Sequence, residues 1–260
     1  MYRYYIFRSY FIVCLFVSAL VFSCTLIENA NAREYQQIIH NEFVNFENQK
    51  DQIHIAQGIM NFNFGVKEII PVSSLEIAKR YLDKQDYIVA AERNAMPIEG
   101  FDYGNSPFQY MNNEILDKTL VLTTTNGTKA INIASEYEVI TSCFINIDAV
   151  EELLLNTKKD VLILCSGWKG VFNLEDTIFS GCLANKLISS KKFNVNCDST
   201  LAALNLYNLA KHDYFSFLSN SAHRKRLKSL NIEKDTEFCL NPDFKSNIIP
   251  TLVNGKLVAR

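Results

Sequence analysis

The chain reads as an α/β fold: layers of the α/β/α type around a mixed, largely parallel sheet, closed by a C-terminal β-hairpin. Three observations predict it. From Gly65 onward, short apolar runs alternate with amphipathic stretches of ten or more residues, the pattern of strands joined by helical crossovers. The last segment, "IIPTLVNGKLVAR", sets Asn254-Gly255 between two alternating apolar runs, which suits a type I′ turn and adds an antiparallel edge to the sheet. The composition is that of a globular domain, since 260 residues at 48% hydrophobic and 21% charged can bury a sizeable core.

Taken in order, "KEIIPV" predicts a short buried strand. "SSLEIAKRYLDK" predicts a helix, with Ser73 three residues before Glu76 as a capping box and Leu75, Ala78 and Leu82 on one face. "YIVAAER" is a strand, "FDYGNSPFQYM" a loop by its Gly, Asn and Pro, and "TLVLTTT" a strand. "TKAINIASEY" is a helix, "YEVITS" a strand, "IDAVEELLLN" a helix and "DVLILCSG" a buried strand. "EDTIFSGCLANKLISS", "DSTLAALNLYNLAKH" and "YFSFLSNSAHRKRLKSL" predict three more helices before the hairpin.

The first 63 residues follow a different logic. Arg3 and Arg8 precede the apolar run "SYFIVCLFVSALVFSC", and "ENANAR" offers Ala30 and Ala32 in an A-x-A spacing. That is the layout of a secretory signal peptide, or of an N-terminal anchor. Residues 33–63 read as one helix or a linker, and 64–260 as the α/β domain. The seven cysteines argue the other way. They are odd in number, show no CxxC, and several lie in apolar runs, as buried reduced thiols do. Net charge is -2, so no basic excess points to nucleic acid.

"LVLTTTNGTKAI" carries the sharpest question. After Asn126-Gly127 the apolar residues Ala130, Ile131, Ile133 and Ala134 follow helical spacing, so "TTTNGT" is a strand–loop–helix junction rather than a hairpin. Asn126 or Thr128 is the expected N-cap. The junction reads either as a capped turn or as an anion site made of backbone N–H groups, Thr hydroxyls and the positive helix end. Other polar clusters also follow strands: Glu92 and Arg93, then Asp102, Asn105 and Ser106, then Cys165, Ser166, Lys169, Glu175 and Asp176. Each has a structural reading: a surface ion pair, an Asx-turn, or acids favouring a helix N-terminus. Together they bring acids, an arginine, hydroxyls and amides to one expected sheet edge, where carboxylates with water can hold Mg²⁺ and arginine can hold phosphate.

From about Phe64 to Arg260, "AAERNAMPIEGFDYGNSPFQY", "KTLVLTTTNGTKAI" and "VLILCSGWKGVFNLEDTIFSG" together resemble the 2-phosphosulfolactate phosphatase family. The resemblance implies a cytosolic, Mg²⁺-dependent phosphatase of the α/β class that converts (2R)-phosphosulfolactate to sulfolactate and phosphate, serving coenzyme M and sulfolactate metabolism. Its implied partner is that small phosphorylated sulfonate. Oligomeric state stays open, and a membrane enters only if residues 1–32 anchor the chain. Carried onto this sequence, Arg93, Asp102 and Asp176 are expected to be catalytic. Asn105, Ser106, Thr124, Thr125, Asn126, Gly127, Thr128 and Gly167 are expected to bind substrate, and Asp102, Glu175 and Asp176 to ligate metal. His223 in "SAHRKRL" is either an acid for the leaving alkoxide or a solvated side chain.

One departure stands out. Family members begin with a buried strand running into an Asp-x-x-Arg-Ala-Ser/Thr motif, and "KDQIHIAQGIMNFN" before Gly65 has neither. Three readings follow: an active phosphatase with a rebuilt N-terminus, a catalytically impaired member lacking a core strand, or an exported anion-binding protein.

Overall fold

A computed structural model of the chain describes residues 10–17, 24–26, 55–93, 96–104, 106–124, 127–167, 172–195, 197–229, 233–241 and 243–260. The strands are β1 (Tyr10–Val17), β2 (Cys24–Leu26), β3 (Glu68–Val72), β4 (Tyr87–Arg93), β5 (Met96–Pro97), β6 (Thr119–Thr123), β7 (Glu138–Ser142), β8 (Val161–Gly167), β9 (Pro250–Val253) and β10 (Lys256–Ala259). The helices are α1 (Ile55–Asn63), α2 (Leu75–Lys79), α3 (Gly127–Ile133), α4 (Ile147–Leu155), α5 (Leu174–Ser189), α6 (Asp198–Ala210), α7 (Tyr214–Phe217), α8 (Ala222–Ser229) and α9 (Glu233–Leu240). The expected α/β class holds, with one mixed sheet in the order β2-β8-β1-β7-β9-β10-β3-β6-β4-β5.

Side chains alternate across this sheet as the pleat requires. Leu120 and Leu122 of β6 and Ile88 and Ala90 of β4 join the main core. Val121 and Val89 face the other way, onto Val72 and Ala78. That second face is covered by α2, whose N-cap is Ser74 rather than the expected Ser73: the Ser74 hydroxyl accepts the N–H of Ile77 at 3.2 Å. Among the described residues Cys143, Cys165, Cys182 and Cys239 are buried free thiols, as the apolar setting of the cysteines predicted.

Three features depart from the sequence reading. First, the core strand that looked lost is present. Residues 10–17, part of the leader-like apolar run, form β1 between β7 and β8, parallel to both and in register from Tyr10↔Glu138 and Tyr10↔Val161. A strand buried on both faces and an apolar leader share the same composition, so the run alone could not separate them. Second, the C-terminal hairpin is not at an edge. Asn254 (φ 50°) and Gly255 (φ 77°) make the predicted turn, but β9 bonds β7 and β10 bonds β3, so the hairpin joins two halves of the sheet. Lys256 Nζ reaches Glu68 Oε1 at 2.8 Å across that seam. Third, "YFSFLSNSAHRKRLKSL" is not one helix. It breaks into α7, a 3₁₀ turn at Leu218–Asn220, and α8, and α9 follows where the sequence reading placed no element.

The hairpin has a directional consequence. β7 and β9, β9 and β10, and β10 and β3 are each antiparallel. Three reversals set the parallel block β3-β6-β4 opposite in direction to the parallel block β8-β1-β7.

Candidate functional site

The opposed blocks divide the predicted site residues. Glu92, Arg93 and the "TTTNGT" loop follow the carboxyl ends of β4 and β6, while Gly167, Glu175 and Asp176 follow that of β8. The single edge expected from a largely parallel sheet is therefore replaced by two ends of opposite strand direction. A link remains, because α3 extends from the first group to contact β1 and β8.

In the first group, Glu92 is fully buried at the end of β4. Arg93 closes that strand, with its side chain outside the described residues. The Thr124 hydroxyl accepts the N–H of Thr128 at 3.0 Å, and the Thr128 hydroxyl donates to the Thr124 carbonyl at 2.9 Å. Thr124 thus caps α3, and Thr128 lies within the helix rather than at the N-cap. Both hydroxyls help to close the turn, Thr124 as acceptor and Thr128 as donor. Thr125 and Asn126 lie outside the described residues. The small cavity beneath Gly127 is lined mainly by Ile69, Pro71, Leu122, Ile131 and Leu257. It offers few donors to a multiply charged ligand.

The loop after β5 is held from several sides. Asp102 Oδ2 accepts the N–H of Val89 at 2.8 Å, and Tyr103 bridges to Ala90 alongside β4. This bond to the backbone of a neighbouring strand, not a local Asx-turn, gives Asp102 a structural task. Gly104 O accepts from Tyr110 Oη at 2.6 Å, and Gln57 Nε2 donates to that same Tyr110 Oη at 2.6 Å. Ser106 donates to Asp235 Oδ1 at 3.1 Å, and burial raises the Asp235 carboxyl above its ordinary range. Asn105 lies outside the described residues.

The second group is the more concentrated. β8 ends at Gly167 in the left-handed region (φ 68°), a conformation cheap only for glycine. Its N–H donates to Asp176 Oδ2 at 3.0 Å. Asn173 caps α5 by accepting the Glu175 N–H at 2.7 Å. Glu175 and Asp176 are each 1% exposed on the first turn of α5, where the helix dipole favours negative charge. Glu175 Oε1 accepts from the Ser221 hydroxyl at 2.7 Å, and Ser221 Oγ also accepts the N–H of Arg224 at 3.1 Å. Cys165 sits behind them, 3.0 Å from Ser180 Oγ. Burial first, and then the charge of Asp176, push its thiol far up, so it is a core residue and not a nucleophile.

A model of the family described as 2-phosphosulpholactate phosphatase matches residues 58–255. The chain belongs to the 2-phosphosulfolactate phosphatase family. Relatives bearing the name probable 2-phosphosulfolactate phosphatase bracket it. One from Thermotoga petrophila is 40% identical over 197 residues, 75% of this chain and 83% of its own length. One from Caldanaerobacter subterraneus subsp. tengcongensis is 37% identical over 195 residues, 74% and 80%. One from Clostridium kluyveri is 32% identical over 234 residues, 88% and 95%. As a 2-phosphosulfolactate phosphatase family member the chain is a phosphoric monoester hydrolase. The matched span holds every site residue expected from the sequence, whereas β1 precedes it.

Sequence reasoning missed Asn173, Ser221, Arg224 and Asp235. Within "SAHRKRL" it weighed only His223, whose side chain lies outside the described residues. The available signal was a serine three residues before an arginine, the spacing at which a hydroxyl caps a helix.

Proposed function

We propose that this chain hydrolyses the phosphate ester of 2-phosphosulfolactate, releasing sulfolactate and inorganic phosphate. The observation that carries the reading is the buried Glu175–Asp176 pair on the first turn of α5, held by the Gly167 N–H and the Ser221 hydroxyl. Family membership supplies the reaction class.

Mg²⁺ is part of the proposal. Among the described residues no three Asp, Glu, His or Cys side chains gather into a protein-built cage. Mg²⁺ fits such a place nonetheless, because it usually takes one or two carboxylates and completes its shell with water and substrate phosphate. Glu175 and Asp176 are the residues we assign to hold it. When bound it would neutralise phosphoryl charge. The chain's own residues do the positioning: Gly167 fixes one carboxylate, Ser221 the other, and Asn173 fixes the turn that presents both. Asp102 we assign to holding its loop on β4. Arg93 and residues 124–128 remain the assigned phosphate or sulfonate contacts by family pattern.

A second reading, a folded member with impaired turnover, is favoured by one observation. β1, "YFIVCLFV", holds no acid or arginine, and the Asp-x-x-Arg motif that the family resemblance leads one to expect after the first strand is not found before Gly65. Phosphate release from racemic phosphosulfolactate by the full-length chain, with Mg²⁺ and then EDTA, separates the two. Release abolished by EDTA supports the enzyme. Folded protein that releases none supports the impaired member.

A further inference from the structure

We infer that Arg224 is the anchor of a tetrahedral oxyanion site between α8, α7 and the first turn of α5, and that it takes one charged end of the substrate. The inference rests on reading this region as a phosphosulfolactate site. Arg224 is 5% exposed, and its guanidinium carbon lies 3.5 Å from the ring centroid of Phe215. A guanidinium keeps its charge at any ordinary pH, so burial cannot neutralise it. Its one described ion pair is from Nη2 to Glu233 at 3.3 Å, a long contact to a side chain that is 42% exposed. Nε and Nη1 have no hydrogen-bond partner among the described residues.

A buried cation with two donor nitrogens left over is costly in a finished core, because each lost its water without replacement. Phe215 covers one face of the plane, and the spare hydrogen-bonding capacity lies in the plane, at the edges. An oxyanion docking on either edge would use Nη2 together with Nη1 or Nε, the fork geometry that suits phosphate and sulfonate. The place is apt, since the Arg224 backbone N–H meets the same Ser221 hydroxyl that holds Glu175. Phosphosulfolactate carries a phosphate, a sulfonate and a carboxylate, while Glu175 and Asp176 are acids. A fixed cation one residue contact away balances that charge and orients the ligand.

The test is calorimetric binding of sulfolactate and of inorganic phosphate to the full-length chain, to R224K and to R224M, with melting temperatures in anion-free buffer. R224K keeps the charge and loses the planar fork. It should bind about tenfold to a hundredfold more weakly, the range for losing hydrogen bonds to a charged group. R224M should lose binding of the anion that Arg224 holds and melt at or above wild type, because a partly paired buried charge is removed. Equal binding by wild type and R224K, or no anion binding by wild type, overturns the inference. So does an R224M chain that melts lower or fails to fold while R224K binds like wild type. Turnover separates this from the functional reading. Wild type that binds anions through Arg224 without releasing phosphate sinks the phosphatase assignment alone, and turnover with unchanged KM and kcat in R224K sinks the Arg224 site alone. Comparing phosphosulfolactate with phospholactate tells the ends apart: a defect confined to the former assigns the sulfonate, and one shared by both assigns the phosphate.

Discussion

Replacing Gly181 by alanine tests how tightly the site-bearing helix is seated. Gly181 lies in α5, about one and a half turns beyond Glu175 and Asp176, where α5 packs along α6. A Cβ there would stand 2.1 Å from the carbonyl oxygen of Ala203, 2.6 Å from its carbonyl carbon and 2.8 Å from Tyr207 Cβ. Two of these atoms are backbone of a neighbouring helix, so no rotamer change relieves the clash. Restoring even close contact distances requires the helices to separate by about 1 Å, against the 3.5–4.0 Å spacing of ordinary contacts. Overpacking of this kind costs about 1–3 kcal/mol, and a backbone clash belongs at the upper end. For a chain of this size each kcal/mol lowers Tm by about 2–4 °C, so G181A should melt about 5–10 °C below wild type. The urea midpoint should fall with the slope unchanged, because the surface exposed on unfolding is the same. A G181A chain that melts within 1 °C of wild type would refute the close α5–α6 seating. The carboxylate pair would then be held by its own hydrogen bonds and not by the helix behind it.

Other changes address the site and the sheet. D176N keeps an oxygen for the Gly167 N–H but removes the charge, so phosphate release should fall about a hundredfold or more with Tm nearly unchanged; an unaltered rate and Mg²⁺ titration would return Asp176 to a capping role. Removing residues 1–32 deletes β1 and β2 and leaves β7 and β8 with open inner edges, which should yield aggregated protein on size exclusion. A soluble truncated chain with native Tm would show the leader-like segment to be dispensable. The bond to Lys256 chiefly, against the opposing cost of burial, holds the Glu68 carboxyl below its ordinary range. A depressed folded pKa means that its stabilisation is whole above the ordinary glutamate range and is lost as pH falls through the lower folded value. The acid limb of wild-type stability should therefore be steeper than that of E68Q, and superimposable curves would remove the hairpin seam as a source.

How much was legible depended on how local the cause was. The Asn-Gly turn, the alternation of β6 and the helical spacing of α5 are set by residues within a few positions of one another, and each was readable in advance. The family pattern in "TTTNGT", "GNSP" and "LEDT" was readable for the same reason. The hydroxyl pair of Thr124 and Thr128 was nearly so: the residue types were right, but which oxygen meets which N–H depends on where the helix begins.

By itself the sequence determined most of the strands and helices from Gly65 onward, the α/β class, the family and the acids of the α5 turn. Tertiary structure decided the rest. An apolar octapeptide can be a leader or a sheet strand, and only the slot between β7 and β8 made Tyr10–Val17 the latter. A hairpin with two apolar faces can sit at an edge or in a seam, and pairing with β7 and β3 reversed half of the sheet and divided the expected site. Arg224 was one cation in a basic run until Phe215, Ser221 and Glu233, nine or fewer residues away but on separate elements, enclosed it. Periodicity reports which face of an element is buried, whereas its neighbours are set by pairings between distant segments that no local pattern encodes.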